Sequence, residues 1–388
     1  MTDGVGSALR RAIPEVVAIL VRRGADFASA EDAVQTALVR ALERSDLTEV
    51  RDLRAWLVTT AWHAFIDQVR SDQARSSREE RIAREPEPGP PVGHDDTLRL
   101  YFLCAHPVLT PTTAIALTLR AIAGLTTRQI ADAFLVPEAT MAQRIGRAKQ
   151  HLAGLPLDQP GDLSRVLRVL YLLFNEGYSG DVDLADEAIR VTRQLALLTD
   201  EAEVQGLLSL MLLHHSRRAA RVVDGRLVPL ADQDRARWDA DAIGEGIEIL
   251  QRALARDRLG QYQAQAAIAA LHADAPTAAE TDWVQIVEWY DELVGLADSP
   301  VVRLGRAIAV GEADGPRSGL AALGALDPDL PRAHAARAYL LERAGEVDAA
   351  VVEYDEAARR ATSVLEQEYL RRRAAELRGP TPGAASAG

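Results

Sequence analysis

Apolar residues recur at steps of three and four along several stretches of the chain, the spacing of one face of an α-helix. From Glu138 to Leu152 the stripe is Met141, Ile145, Ala148 and Leu152. Ahead of it, residues 125–134 read as a capped helix and Leu135-Val136-Pro137 as a break, which together give helix-turn-helix spacing. Ser29 with Asp32 resembles a capping box opening a helix over Ala30 to Leu42. In that helix Val34, Leu38 and Ala41/Leu42 face inward and Glu31, Asp32, Gln35 and Arg40 outward. A further helix runs from Leu53 past Arg70, with Val58, Trp62, Phe65/Ile66 and Val69 as its core stripe and Thr60, His63, Asp67 and Arg70 as its polar stripe. Leu100 to Leu119 carries no charge and is long enough to span a bilayer, but Pro107 and Pro111 break it into two buried helix pieces.

Proline and glycine punctuate this pattern. REPEPGPPVGHDD, residues 84–96, cannot continue a helix and reads as a linker, and GLPLDQPGD, residues 154–162, marks a second break. The expected organisation is a first helical module over 1–83, the linker over 84–96, a second module over 97–155, a helical extension over 156–377 and a frayed tail over 378–388. In the extension Gly311-Glu312-Ala313-Asp314 recurs 34 residues later as Gly345-Glu346-Val347-Asp348, the tetratricopeptide period. With Gly345 at an inter-helix turn, Ala338, Ala350, Tyr354 and Ala357 take the small and aromatic positions where two helices approach closely, and Pro328 falls at the end of the earlier repeat. Pro316 stands where a small helical residue is expected.

Composition supports an all-α fold, because only 5% of the 388 residues are aromatic and strand formers are scarce. With 48% hydrophobic and 26% charged residues, a collagen, a disordered tail and a disulfide mini-protein are excluded. The single cysteine, Cys104, forms no internal disulfide, and the apolar run Val16–Val21 is too short for a secretory leader, so a cytoplasmic protein without a membrane span is expected. Up to Leu155 the chain carries 19 basic and 19 acidic residues, so the net charge of −13 belongs to the extension. A neutral front half can still present a local basic face, and from Ala139 to His151 there are three cations and no carboxylate. Ala139, Gln143 and Gln150 lie opposite the apolar stripe, with Thr140 and Arg147 beside them and Arg144 and Lys149 on the flanks. An amide and a guanidinium there suit base edges in the major groove, and the flanking cations suit phosphates.

Other clusters read as architecture. Cys104, His106 and His94 lack the second ligand pair of a structural zinc site. His214 and His215 are adjacent on a helix and read as surface. Asp232, Asp234, Arg235 and Asp239 near Trp238 read as ion pairs joining helices, and Gly177 in Asn175-Glu176-Gly177-Tyr178 as a C-cap. No nucleophile, phosphate loop or paired general acid is in sight, so neither catalytic residues, nor a metal, nor a cofactor is expected.

AEDAVQTALVRAL (30–42), AWLVTTAWHAFIDQVR (55–70) and GLTTRQIADAFLVPEATMAQRIGRAK (124–149) resemble regions two and four of bacterial extracytoplasmic-function sigma factors. VLYLLFNEGYSG (169–180), LLSLMLLHHSRRAAR (207–221), LVPLADQDRARWD (227–239) and the 34-residue repeat resemble the TPR-like C-terminal extension of one subgroup. The resemblance implies a promoter-specificity subunit that binds core RNA polymerase, through the β′ clamp coiled coil and the β subunit, and promoter DNA, with a protein regulator on the extension. Glu31, Asp32 and Gln35 would contact the clamp. Arg54, Trp56, His63, Asp67 and Arg70 would hold the minus-ten element as single strand. Glu138, Ala139, Thr140, Gln143, Arg144, Arg147 and Lys149, with Arg128 on the preceding helix, would read the minus-thirty-five element. Trp62 and His63 stand where members usually carry cations, and Ala105 where a second cysteine is expected. The alternative is a helix-turn-helix regulator with a TPR-like sensor domain, which has no use for the 30–42 and 55–70 pair of helices.

Overall fold

The computed structural model describes residues 2–43, 50, 52–76, 94–152, 162–176, 178–179 and 182–379. The expected linker falls almost wholly outside these residues, as do Gly177, most of 154–162 and most of the tail. Among the described residues the chain is nearly all α-helix, with two short antiparallel ribbons as its strands, and no helix is long and apolar enough to cross a membrane. Packing divides it into two units, Met1–Asp200 and Glu201–Gly388.

The first unit begins with α1 (Thr2–Arg22), α2 (Phe27–Leu42) and α3 (Leu53–Ser76). Their core is Ile13, Val16 and Leu20 against Ala33, Val34 and Ala37 and against Leu57, Ala61 and Phe65. Two local expectations are corrected. Helix α2 starts three residues earlier than expected because Asp26, not Ser29, caps it: the Ser29 backbone N–H donates to the Asp26 carboxylate at 3.1 Å and the Ser29 hydroxyl does so at 2.6 Å. On α3 the buried face is Leu57, Ala61, Ala64 and Phe65, while Val58, Trp62, Ile66 and Val69 are only half-buried. Alanines at 61 and 64 let the neighbouring helices come close, and that turns the helix about one position from the bulk-weighted stripe.

Next come α4 (His94–Cys104) and α5 (Pro111–Ala121), the two buried pieces expected on either side of the proline pair. Thr110 caps α5, and Pro111 occupies its first turn, where a missing N–H costs nothing. Helices α6 (Thr127–Ala133) and α7 (Glu138–Leu152) complete the helix-turn-helix. A two-helix cover then closes this unit, α8 (Leu163–Glu176) and α9 (Leu184–Leu198), joined by the ribbon β1 (Tyr178–Ser179) and β2 (Val182–Asp183). It packs on α4 and α5. The buried Tyr101 hydroxyl donates to the Val191 carbonyl at 3.0 Å, and Arg190 donates to the Ala123 carbonyl at 2.9 Å while paired with Glu187.

The second unit is built of helical hairpins: α10 (Ala202–His215), α11 (Arg218–Arg221), the ribbon β3 (Val222–Val223) and β4 (Arg226–Leu227), α12 (Ala240–Leu254), α13 (Gln261–Asp274), α14 (Trp283–Leu296), α15 (Pro300–Ala313), α16 (Pro316–Leu323), α17 (Ala333–Arg343), α18 (Val347–Arg360) and α19 (Val364–Arg378). Helix α10 is apolar on almost every side because α12 and α13 both pack on it. A Cβ at Gly206 would come within 2.7 Å of the Gln263 backbone nitrogen, so this crossing admits only glycine. The repeat signal holds in its later copy: Gly345 turns with φ +79°, and Ala338, Ala350, Tyr354 and Ala357 share one buried cluster. The earlier copy differs. Gly311 lies inside α15, against Gly319 and Leu340, and the turn falls at Gly315 with φ +96°, which leaves Pro316 to open α16.

The cover sets a prediction. A fragment ending at Asp200 should unfold cooperatively by circular dichroism. One ending at Leu155 should melt at lower temperature, since it exposes the apolar faces of α4 and α5 to water and exchanges the Tyr101–Val191 hydrogen bond for one to water, which costs about 0.5–1.5 kcal/mol. Equal melting would show that α8 and α9 contribute nothing to this unit.

Candidate nucleic-acid and polymerase interfaces

The helix-turn-helix is built as its sequence requires. Thr126 caps α6 reciprocally with Gln129: the Gln129 N–H donates to the Thr126 hydroxyl at 3.2 Å, and the Thr126 N–H donates to the Gln129 side-chain carbonyl at 2.9 Å. Leu135 makes the turn with φ +51°. On α7 the buried residues are Met141, Ile145, Ala148 and Leu152, so Glu138, Ala139, Thr140, Gln143, Arg147 and Gln150 are exposed together, with Arg144 at their margin. Arg128 is exposed on α6, within 4.0 Å of Asp132. On α3, His63, Asp67 and Arg70 are exposed and Trp56 half-buried on one face at steps of seven, four and three. Arg54 pairs with Glu15 of α1, and the Arg23 guanidinium sits 5.3 Å from the Trp62 ring.

The α2 residues are placed differently from their periodicity. Asp32 is exposed and Gln35 half-buried, but Glu31, read as outward, is fully buried. Its carboxylate lies between two cations, Arg120 Nε of α5 at 2.9 Å and Lys149 Nζ of α7 at 2.5 Å. Neither oxygen receives a well-aligned hydrogen bond, so charge alone compensates its lost hydration. Lys149 bridges onward to Asp32 at 2.6 Å and keeps only 12% of its side chain exposed. The sole lysine, expected on the flank of the recognition helix, is thus held by two residues expected at the polymerase surface.

Arg120 is absent from the sequence-derived site. Its signal was present, since it is the one Asp, Glu, Lys or Arg between Arg99 and Arg128. A lone charge in so apolar a stretch needs a partner, and only the tertiary fold supplies Glu31.

The remaining clusters take structural places. Cys104 is buried, and burial together with the nearby Glu31 charge pushes its thiol well above the ordinary range, away from redox chemistry. The His106 ring accepts from the Val108 N–H at 3.2 Å. Asp234 and Asp239 cap helical turns, accepting from Ala236 and Ala242 at 3.0 Å each, so they are not the inter-helix ion pairs expected of them. Among the described residues no three His, Cys, Asp or Glu side chains are grouped to hold a metal.

Three family models match the chain: Sigma-70 region 2 over residues 9–75, Sigma-70 region 4 over 99–152, and a family of unknown function, DUF6596, over 162–254. The chain is similar to Uncharacterized protein R00370 of Rhizobium meliloti, at 40% identity over 95% of each chain. It is also similar to Probable ECF RNA polymerase sigma factor SigI of Mycobacterium tuberculosis, at 27% identity over 47% of this chain and 70% of that one. No solved structure matches.

The buried carboxylate is directly testable. Glu31→Leu leaves the mostly buried Arg120 without a carboxylate and Lys149 with the exposed Asp32 alone, and should cost about 3–5 kcal/mol in urea unfolding, with hydrogen exchange resolving this unit. Asp32→Ala removes an exposed partner and should cost only about 0.2–1 kcal/mol. Adding Lys149→Met to Glu31→Leu should recover part of the loss, and equal losses for the two single variants would deny Glu31 its central place.

Proposed function

Because this chain belongs to the sigma-70 family, in its extracytoplasmic-function group, we propose that it directs promoter-specific initiation with α7 reading the minus-thirty-five duplex and α3 holding the minus-ten single strand. The observation that carries the reading is the α7 surface, where Ala139, Thr140, Gln143 and Arg147 stand exposed over a buried apolar stripe with no carboxylate from Ala139 to His151. Short side chains at 139 and 140 let the helix enter the groove. Gln143 and Arg147, one turn apart, present an amide and a guanidinium to base edges. On α3, Trp56 supplies a stacking surface, and Arg54 and Arg70 supply charge for a splayed strand.

Core polymerase binding falls to α2, with Asp32 and Gln35 on the β′ clamp coiled coil and further contacts to the β subunit. The ion pairs of Lys149 support a closed resting form. While it holds the two α2 carboxylates Lys149 keeps only 12% of its side chain exposed, too little to meet a DNA phosphate, so in this reading α7 leaves α2 on promoter engagement. The helical extension, matched in its first part only by a family of unknown function, is assigned a modulating role as a protein-binding array.

Run-off transcription with purified core polymerase and a promoter library tests the whole reading. Transcripts from a restricted promoter set are expected. Sequence-specific duplex binding without a transcript from any template would favour the regulator. Within the sigma reading, Gln143→Ala or Arg147→Ala should cost about 1–3 kcal/mol at the cognate site and relax specificity at one base pair. Lys149→Ala should weaken all sequences alike and flatten the salt dependence. Asp32→Arg should lower core affinity in competition assays, and unchanged affinity would remove Asp32 from that interface.

A further inference from the structure

The second unit holds a group of three arginines that form no ion pair with a carboxylate among the described residues, although the Glu280 charge acts on Arg235 from farther off. Arg217, Arg221 and Arg235 lie near one another, Arg217 and Arg235 beside the Trp238 ring, and none has a carboxylate within 4.0 Å among the described residues. The Arg235 guanidinium stacks 4.4 Å from the Trp238 ring centre, and Arg217 lies 5.9 Å from it. Arg235 donates to the His272 carbonyl at 2.8 Å, and Arg217 is 2.8 Å from the His214 ring nitrogen Nδ1. Both histidines are held neutral, at about 3 for His214 and about 4 for His272, by burial first and then by the arginines. The same two causes bring even Arg217 down to about 10.

Two further observations point to an occupant. The indole N–H of Trp238, a residue only 7% exposed, has no acceptor among the described residues. His214, three residues before Arg217, is exposed, so the cluster is open to solvent and an ion can reach it. Structural arginines in a protein of net charge −13 would ordinarily meet one of its many carboxylates. Here the nearby carboxylates make their close contacts elsewhere: Asp234 and Asp239 cap backbone N–H groups, and Glu280, which acts on Arg235 only from a distance, accepts from the Thr277 hydroxyl at 2.6 Å.

We propose that Arg217, Arg221, Arg235 and the Trp238 indole N–H form a binding site for a small oxyanion ligand, one that presents a phosphate or carboxylate group. Its oxygens would accept from guanidinium forks held in place by the indole face and the His272 carbonyl. The site lies wholly within the second unit, so it stands whatever becomes of the promoter reading.

The test is calorimetric titration of the full chain with inorganic phosphate, pyrophosphate and citrate at matched ionic strength, with melting temperature as a parallel readout. Saturable binding of at least one probe is expected, with a melting temperature that rises with its concentration. Preference for the phosphates or for citrate names the ligand's head group. Arg217→Gln should weaken that binding about tenfold or more while raising the melting temperature of the unliganded chain, because it relieves repulsion. Arg303→Gln, which breaks an exposed pair with Asp298 elsewhere in the unit, should leave binding unchanged. Should Arg217→Gln fail to fold, Trp238→Phe, which keeps the ring and removes the N–H, carries the same expectation for binding. Heats equal to the chloride control for all three probes would overturn the proposal, as would binding that both variants retain. A fall in the unliganded melting temperature of Arg217→Gln without loss of ligand binding would mark the cluster as structural.

Discussion

The arrangement of the first unit turns on a buried carboxylate. Glu31 has surrendered its hydration, and Arg120 and Lys149 at 2.9 and 2.5 Å are what it receives instead. Such a triad contributes little net stability, because desolvating three ions costs about what their attraction returns. What it contributes is orientation. Any shift of α2 against α5 and α7 that opens one pair leaves a bare charge in an apolar setting. The same arithmetic makes the contact reversible, since complete separation returns all three groups to water and regains what burial cost. A contact of this kind is strict about geometry and lenient about dissociation, which suits the parting of α7 from α2 proposed for promoter engagement.

Glu31 also marks the limit of what periodicity reveals. Helical spacing located the α7 stripe and every buried residue in it, because those side chains pack against α5 and α6, neighbours close in the chain. Spacing sorts residues by their own helix's apolar face. Glu31 stands off that face and is buried by a second module more than 80 residues away, and no local pattern encodes a partner at that distance. Arg120 was the other half of the same message, a solitary charge whose purpose appears only when α5 meets α2. On α3 the miss was smaller and of another kind: periodicity weighs bulk, but alanines decide how close two helices come.

The extension teaches the converse, that identical residues need not do identical work. Gly345 and Gly311 sit in matching tetrapeptides, yet one turns the chain with a positive φ and the other lets two helices cross. Glycine satisfies both demands because each asks for a missing Cβ, one for backbone freedom and one for space. The proline that looked out of place, Pro316, follows from this. With α15 extended through Gly311, the turn moves to Gly315, and a proline at the next position starts α16 where no N–H is needed.

Charge distribution joins these points. From Ala139 to His151 α7 carries its cations without a carboxylate, and the acids that balance Lys149 come from α2, the helix assigned to the polymerase. In the proposed reading, promoter engagement exchanges two α2 carboxylates for a phosphate around one ammonium, which leaves both acids to be compensated. The driving force would then lie in what the freed α2 acids gain elsewhere. Polymerase and DNA would cooperate without touching the same residue: a clamp that takes Asp32 loosens Lys149, and a phosphate that takes Lys149 frees Asp32. Because coupling free energy is reciprocal, each partner would raise the other's affinity by the same factor. In that scheme the acidic face of α2 serves as the competitor that keeps the recognition helix off DNA until polymerase is bound.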